Sequence, residues 1–253
     1  MKRSTSSNFK AYICGLILLL LLWQVLAVMI GETTMVFPGP VSTFRYVIYL
    51  LGKAYTYKCI AMTMMKMFAG FAISLVLGFI AGVIAGNHPF IEKMLSPLIT
   101  TLRAVPTASL VYLFIVLAGF RMAPMYLVVM ISFPIIYEGV LGGIRNISAS
   151  IVNAMKVDGA SFFRSNFRIK LPLAMPYIIV AMTTSFSLSF KIEIMAEVIT
   201  GASNAGLGSA ILGMRSSDPT NMVPIFGYSL IAVALMLLID YLTGIIQDKI
   251  KFN

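Results

Sequence analysis

The sequence predicts an all-α protein that crosses a membrane about six times. Of its 253 residues, 59% are hydrophobic and 11% are charged, whereas soluble domains carry about 25% charged residues. Uncharged runs that approach the roughly 20 residues needed to span a bilayer recur along the chain. Two cysteines and one histidine supply neither a disulfide framework nor a Cys/His metal cluster. We therefore expect a membrane domain without a separate soluble enzyme domain.

The N-terminal part predicts two crossings separated by an external segment. The uncharged run 11–30 is longer than the apolar core of a signal peptide, so we expect it to remain as an anchor. Segment 31–66 carries four basic residues, and we expect it to lie outside the bilayer with one surface helix. The predicted domains are therefore 1–66, the anchor and external segment, and 67–253, the core.

The second crossing, 67–87, carries small residues at every fourth position. These residues are Gly70, Ser74, Gly78, Gly82 and Gly86. Spacing by four places them on one helix face, and small side chains on that face allow a second helix to approach closely. The pattern predicts a helix-packing face and not a solute pathway.

The remaining crossings are predicted at 98–120, at 125–138, from Pro176 onward, and at 222–246. A tight return at Gly119 joins the third crossing to the fourth. We expect a loop of about 139–175 between the fourth and fifth crossings, and a loop rich in glycine and serine at 201–221.

The net charge of +10 indicates topology and not nucleic-acid binding. Cytoplasmic loops of membrane proteins carry an excess of lysine and arginine. If both chain ends are inside, eleven basic residues lie in cytoplasmic segments and six lie outside. The pattern therefore predicts that the N-terminus and the C-terminus both face the cytoplasm.

The predicted cytoplasmic loop, 139–175, contains two short helices on either side of Gly159. Ser150 and Ser161 are candidate caps at their starts, and Pro172 is expected to end the second helix. A hairpin of this kind is suited to docking on a protein partner.

The same loop contains a spaced motif. Ala154, Gly159, Ile169, Leu171 and Pro172 stand in the order Ala, four residues, Gly, nine residues, Ile, one residue, Leu-Pro. This spacing resembles the EAA motif of the permeases of ABC importers. Asn153 and Met155 stand where that family usually has Glu and Ala.

Three further runs resemble the nitrate, sulfonate and taurine branch of those permeases. They are Phe37-Pro38-Gly39-Pro40, Leu102-Arg103-Ala104-Val105-Pro106, and Ala196-Glu197-Val198-Ile199-Thr200-Gly201 with Gly206-Leu207-Gly208. The order and spacing of these runs together are more specific than any one of them.

The resemblance implies the type I architecture of ABC importers and a multi-pass location in the cell inner membrane. It implies import of a small solute, anionic or vitamin-like, and three protein partners: a cytoplasmic ATP-binding subunit, an extracytoplasmic substrate-binding protein and a second permease chain, in a homodimer. ATP with Mg²⁺ would be bound by the partner ATPase, and no cofactor by this chain, which lacks a G-x-x-x-x-G-K-[ST] loop. The residues implied to dock on the ATPase are Asn153, Ala154, Met155, Asp158, Gly159, Ala160, Ile169, Leu171 and Pro172.

Charged residues late in the fifth crossing suggest a solute pathway. Lys191 and Glu197 follow 14 uncharged residues, about 21 Å of helix, which places them in the outer third of a ~30 Å core or just beyond it. One interpretation is that Thr183, Ser187, Lys191 and Glu197 border the pathway and that Lys191 attracts an anionic solute. The other is that Lys191 reaches the headgroups and the nearby glutamates lie in an external loop.

Two other classes of function fit the sequence less well. A secondary transporter, driven by an ion gradient, should show inverted repeats with broken helices in matching positions, and the sequence shows no such symmetry. A membrane enzyme would need a cluster of catalytic residues, which one histidine and two distant cysteines do not provide. We therefore predict no catalytic residue, no metal site and no nucleic-acid contact.

Overall fold

The computed structural model describes residues 5–31, 36–157, 161–201 and 205–251. All regular structure in these ranges is helical. In chain order the elements are α1 (Thr5–Ile30), α2 (Pro40–Leu51), α3 (Ala54–Asn87), α4 (Pro89–Ala104), α5 (Thr107–Arg145), α6 (Ala149–Val157), α7 (Phe162–Ser165), a π-helix (Asn166–Lys170), α8 (Leu171–Thr200), α9 (Leu207–Ser217) and α10 (Val223–Lys251).

Five of the described helices, α1, α3, α5, α8 and α10, are long and apolar enough to cross a membrane. Most of the leucine, isoleucine and valine side chains of α1 from Ile13 onward are exposed. Because a helix that exposes apolar side chains all round needs an apolar environment, α1 is suited to lipid on most of its faces. It contacts the rest of the chain partly through Trp23, whose Nε1 donates to the Pro38 carbonyl at 3.1 Å.

The predicted packing face of α3 is confirmed, and its partner is α5. The facing pairs are Gly70 with Val128, Gly78 with Ile136, Gly82 with Val140 and Gly86 with Ile144. Each pair is separated by the same number of residues, so α3 and this part of α5 run parallel. A Cβ atom on Gly82 would lie 2.6 Å from the Val140 Cβ, which shows how closely the two backbones approach. Small residues on α3 make this approach possible.

Helix α8 covers another face of α5 and runs antiparallel to it. Gly139 of α5 packs on Ala181, and Gly143 packs on Ala174. Between buried positions, the hydroxyl oxygens of Ser132 and Ser189 are 2.8 Å apart and hydrogen-bonded. Helix α5 is therefore the middle member of a three-helix core, α3–α5–α8.

The chain reverses direction at Gly119, inside α5. Gly119 has φ +73° and ψ +164°, a conformation open to glycine because it lacks a Cβ. The rings of Phe114 and Tyr126 stack with centroids 6.0 Å apart, whereas 12 residues of straight helix would separate them by about 18 Å. An ion pair between Glu92 and Arg145 joins the far ends of the hairpin.

This reversal accounts for the difference between five long helices and six predicted crossings. Helix α4 and the part of α5 before Gly119 together return the chain from the Asn87 end of α3 to its opposite end. They are divided at Val105 and Pro106, which lie between the two helices. The number of crossings and the orientation in the membrane remain predictions.

The predicted domain boundary at residues 66 and 67 falls inside α3, and the domain division stays a prediction. Lys66 was expected to lie outside the membrane with the other basic residues. It instead forms an ion pair with Glu197 at 2.9 Å and its side chain is only 12% exposed. With its charge compensated, Lys66 can be part of a packed helix.

The predicted loop 139–175 is shorter in the structure. Helix α5 continues to Arg145 because Gly139 and Gly143 pack on α8, and α8 begins at Leu171. Pro172 therefore opens a helix and does not end one. The π-helix leads directly into α8, and the Leu171 N–H donates to the Asn166 carbonyl five residues back, so the chain is already helical where Pro172 stands.

The expected loop 201–221 also contains structure, because Leu207–Ser217 forms α9. Leu207 and Ala210 are buried. Tertiary packing thus makes a helix of a segment whose glycine and serine content is typical of a loop.

Candidate functional site

The segment from α6 through the π-helix (149–170), called here the α6–π segment, contains most of the spaced motif. Asn153 and Ala154 are exposed on α6, whereas Met155 is buried. The hydroxyl of Ser165 donates to the Met155 sulfur at 3.3 Å, which links α6 to α7. Asn153 and Ala154 therefore face outward, whereas Met155 packs inside the segment. Asp158, Gly159 and Ala160 lie outside the described residues.

The later motif residues anchor the segment to the core. Ile169 is half-buried in the π-helix, Pro172 is exposed, and Leu171 is buried. Leu171 belongs to a cluster with Val140 and Ile144 of α5. The motif thus divides into an exposed surface on α6 and an apolar anchor at the start of α8.

The caps of the segment differ from the prediction at one position. Ser161 behaves as expected, since its Oγ accepts the Arg164 amide N–H at 3.4 Å. Ser150 lies inside α6, and Ser148 precedes the helix, its carbonyl accepting the N–H of Val152 at 3.2 Å. The first helix therefore begins slightly earlier than expected.

A cluster of amide and amine groups ties the α6–π segment to α3. The Asn87 Nδ2 donates to the Asn166 Oδ1 at 2.8 Å and to the Val83 carbonyl at 2.7 Å. Lys170 Nζ donates to the Asn87 Oδ1 at 2.5 Å. Asn166 is only 1% exposed. These hydrogen bonds connect the π-helix directly to the Asn87 end of α3.

Three of the four predicted pathway residues line one cavity of about 440 Å³ between α8 and α10. They are Thr183, Ser187 and Lys191. Asp240, Thr243 and Gln247 of α10 line it from the other side. Lys191 is exposed on the surface of α8.

Glu197, the fourth predicted pathway residue, is placed elsewhere. It is fully buried, and its Oε2 accepts the Thr63 hydroxyl at 2.8 Å and the Gly208 N–H at 3.1 Å. Its Oε1 accepts Lys66 Nζ at 2.9 Å. The interpretation that the glutamates lie in an external loop is wrong, because α8 continues to Thr200. Glu197 joins α3, α8 and α9 and does not border the cavity.

Two glycines make room for the Glu197 carboxylate. A Cβ atom on Gly206 would lie 2.3 Å from Oε1, and one on Gly208 would lie 2.6 Å from the Glu197 Cβ. The Leu207 N–H donates to the Thr63 Oγ1 at 2.9 Å. The start of α9 is thus built around Glu197, and its amide groups favour a negative charge there.

Glu193 lies one turn before Glu197 and has a different environment. It is also fully buried, but neither of its carboxyl oxygens has a hydrogen-bond partner. Glu193 and Glu197 are four residues apart and share a helix face, but only the Glu197 carboxylate is hydrogen-bonded.

Sequence reasoning missed Thr63, Lys66 and Asn87. A signal for Lys66 was present, since a cation between apolar residues needs a counter-charge and Glu197 was available. Asn87 stands beside His88 and Pro89 at a helix end, and nothing local distinguishes it from a loop residue.

The helices and the site define a polytopic membrane protein. Its exposed α6–π segment is attached to the helical core by apolar packing and hydrogen bonds. Residues 74–252 match the model of the family described as binding-protein-dependent transport system inner membrane component. The chain belongs to this family.

Curated relatives agree with this assignment. The chain is 27% identical over 206 residues to a putative aliphatic sulfonates transport permease protein of Bacillus subtilis, covering 80% of this chain and 73% of the relative. It is 26% identical to a nitrate import permease protein of Leptolyngbya laminosa, covering 76% and 67%.

Solved structures show the same fold. The methionine ABC transporter MetNI in an inward-facing conformation matches with a TM-score of 0.62 and 21% identity, covering 79% of this chain and 96% of that chain. An amino acid ABC transporter matches with a TM-score of 0.65 and 16% identity, covering 83% and 97%.

The main prediction of function is thus confirmed: the chain is a permease component of a binding-protein-dependent ABC importer and lies in the inner membrane. It is not an enzyme, and ATP hydrolysis belongs to a separate subunit. The family assignment favours this function over the secondary transporter.

Proposed function

We propose that the α6–π segment docks on the ATP-binding subunit and transmits its movement to α3 and α8. The hydrogen-bonded cluster of Asn87, Asn166 and Lys170 carries this proposal. The exposed Asn153 and Ala154 supply the docking surface. We assign the same docking role to Asp158, Gly159 and Ala160 from the motif alone. Ile169, Leu171 and Pro172 hold the segment at the start of α8, with Met155 packed inside it.

The complete transporter would contain two copies of this chain, two ATP-binding subunits and one external substrate-binding protein. ATP with Mg²⁺ binds in the ATPase subunits, and none binds in this chain. The chain crosses the membrane six times with both ends inside, the third crossing being α4 with the first part of α5. The Gly119 reversal and the positive charge of the α6–π segment support this arrangement.

We propose a small solute that carries an anionic group as the cargo. The relatives from Bacillus subtilis and Leptolyngbya laminosa are described as permeases for aliphatic sulfonates and nitrate, which are anions. Lys191 lies at the cavity between α8 and α10 and supplies a positive charge. Thr183 and Ser187 supply hydroxyl groups beside it.

Substitution of an exposed docking residue tests the main proposal. Ala154→Arg places a long charged side chain on the surface of α6 without disturbing a buried contact. We expect the tagged permease to lose most of the ATP-binding subunit during affinity purification, while its own yield in the membrane fraction is unchanged.

The matched control is Ser217→Arg, an exposed position at the end of α9. Under the proposed orientation it faces the outside, and the ATP-binding subunit should co-purify as with the unmodified chain. Full retention of the subunit by the Ala154→Arg variant, or its loss from the Ser217→Arg variant alone, would contradict the proposal.

A further inference from the structure

Pairs of polar residues lie along the contact between α8 and α10. The Ser187 and Thr243 hydroxyl oxygens are 3.3 Å apart, and the Gln247 amide donates to the Thr183 hydroxyl. Thr183 and Ser187 are four residues apart on α8. Their partners on the antiparallel helix α10, Gln247 and Thr243, are also four residues apart. Lys191 follows one turn further along α8, and Asp240 lies three residues before Thr243 on α10; both side chains line the same cavity.

Lys191 and Asp240 lie far from the helix ends. Lys191 is about 14 Å from the Thr200 end of α8 and about 30 Å from its Leu171 end, at 1.5 Å per residue. Asp240 is about 26 Å from the Val223 end of α10. Both side chains are exposed in the single chain, and neither belongs to any of the three ion pairs found within the part of the chain that the structure describes.

Because these two charges lie well inside long apolar helices, we expect them not to face lipid. Ionisable groups within membrane helices face protein or a water-filled cavity, because burial in hydrocarbon costs several kcal/mol on insertion scales. The cavity of about 440 Å³ lies within the range of sites for small molecules. Its polar lining distinguishes it from the neighbouring apolar cavity bordered by Phe68, Phe71 and Phe186.

We infer that the cavity between α8 and α10 is a solute-binding step of the translocation pathway, and that it takes a small zwitterion. Lys191 binds the anionic end of the solute and Asp240 binds its cationic end. Thr183, Ser187, Thr243 and Gln247 supply the hydrogen bonds between them. This inference rests on the proposed function and narrows its solute class, because an anion without a positive group would meet the Asp240 carboxylate.

Charged thiol reagents test the inference without knowledge of the natural solute. Lys191→Cys and Asp240→Cys are made separately in a Cys14→Ser background, since Cys14 is exposed and Cys59 is buried. The complex in proteoliposomes is treated with a cationic trimethylammonium methanethiosulfonate or an anionic sulfonate methanethiosulfonate. Each reagent forms a mixed disulfide with the cysteine thiolate and releases methanesulfinate.

Opposite charge selectivity is the expected result. The Asp240→Cys variant keeps Lys191 and should react on the order of fivefold or more faster with the anionic reagent. The Lys191→Cys variant keeps Asp240 and should prefer the cationic reagent by a similar factor. Leu237→Cys, at an exposed apolar position on α10 outside the cavity lining, is the control for lipid-facing sites and should react with neither.

Two results would overturn the inference. One is reaction at both positions no faster than in the Leu237→Cys control, which would show that no water-filled site exists there. The other is preference for the same reagent at both positions, which would show that the site does not present opposite charges. Co-purification of the ATP-binding subunit, measured on the same samples, shows separately whether the proposed docking function holds.

Discussion

The contrast between Glu197 and Glu193 gives the sharpest test of how the structure is stabilised. The two residues are one turn apart on α8 and both are fully buried. Glu197 accepts three hydrogen bonds, one of them from Lys66, whose side chain is 12% exposed. Glu193 accepts none. The same substitution at each position therefore separates the effect of the partners from the effect of burial.

Glu197→Gln should cost about 3–5 kcal/mol of unfolding free energy. Removing one member of a buried ion pair leaves the other charge uncompensated, which costs about that much. Lys66 is mostly buried, so water can compensate it only in part. Glu193→Gln should change the free energy of unfolding by less than about 1 kcal/mol, because no hydrogen bond is lost.

The measurement is unfolding of each variant in mixed micelles of a mild detergent and dodecyl sulfate, followed by far-UV circular dichroism. A double variant, Lys66→Met with Glu197→Gln, removes the uncompensated charge and should recover at least about 1 kcal/mol relative to Glu197→Gln. Equal destabilisation by the two single glutamine variants, within about 1 kcal/mol, would refute the assigned role of Glu197.

Three further predictions concern packing, backbone conformation and coupling. Gly82→Ala should destabilise the protein by about 1–3 kcal/mol in the same assay, because its Cβ would meet α5; an unchanged transition would contradict the close contact. Gly119→Ala should cost about 1–3 kcal/mol through its φ of +73° alone, since open space surrounds it, whereas Gly142→Ala, also in open space but helical, should stabilise by about 0.5–1 kcal/mol. Asn87→Ala should increase amide hydrogen exchange in the π-helix, measured by mass spectrometry, while Asn146→Ala, which loses an exposed bond to its own helix, should not.

The packing face of α3 could be predicted from the sequence because it depends on local spacing. Residues four apart share a helix face whatever the partner is, and small side chains at those positions have a direct steric meaning. The identity of the partner could not be predicted in the same way. That α5 meets this face depends on the reversal at Gly119, and only the conformation of the backbone there shows it.

Part of the candidate site could also be predicted, because it too depends on the spacing of residues along one helix. Thr183, Ser187 and Lys191 are spaced along one helix, so their shared cavity follows from periodicity. The bonds of Glu197 to Lys66 and Thr63 join residues more than 130 positions apart. Such pairs depend on which helices become neighbours and on how their faces are rotated, and neither is encoded in a single stretch of sequence.

Helix α8 is held at both of its ends, and this has a mechanical consequence for the proposed function. At one end Leu171 packs on α5 beside the π-helix, which is bonded to Asn87 of α3. About 39 Å along the same helix, Glu197 is bonded to Thr63 and Lys66 of α3. Because α3 and α8 are joined at two places and are each packed on α5, we expect a pull on the α6–π segment to move α3, α5 and α8 together. Helix α10 shares hydroxyl and amide contacts with α8 along the polar cavity, so this boundary is where such a movement would change the solute site.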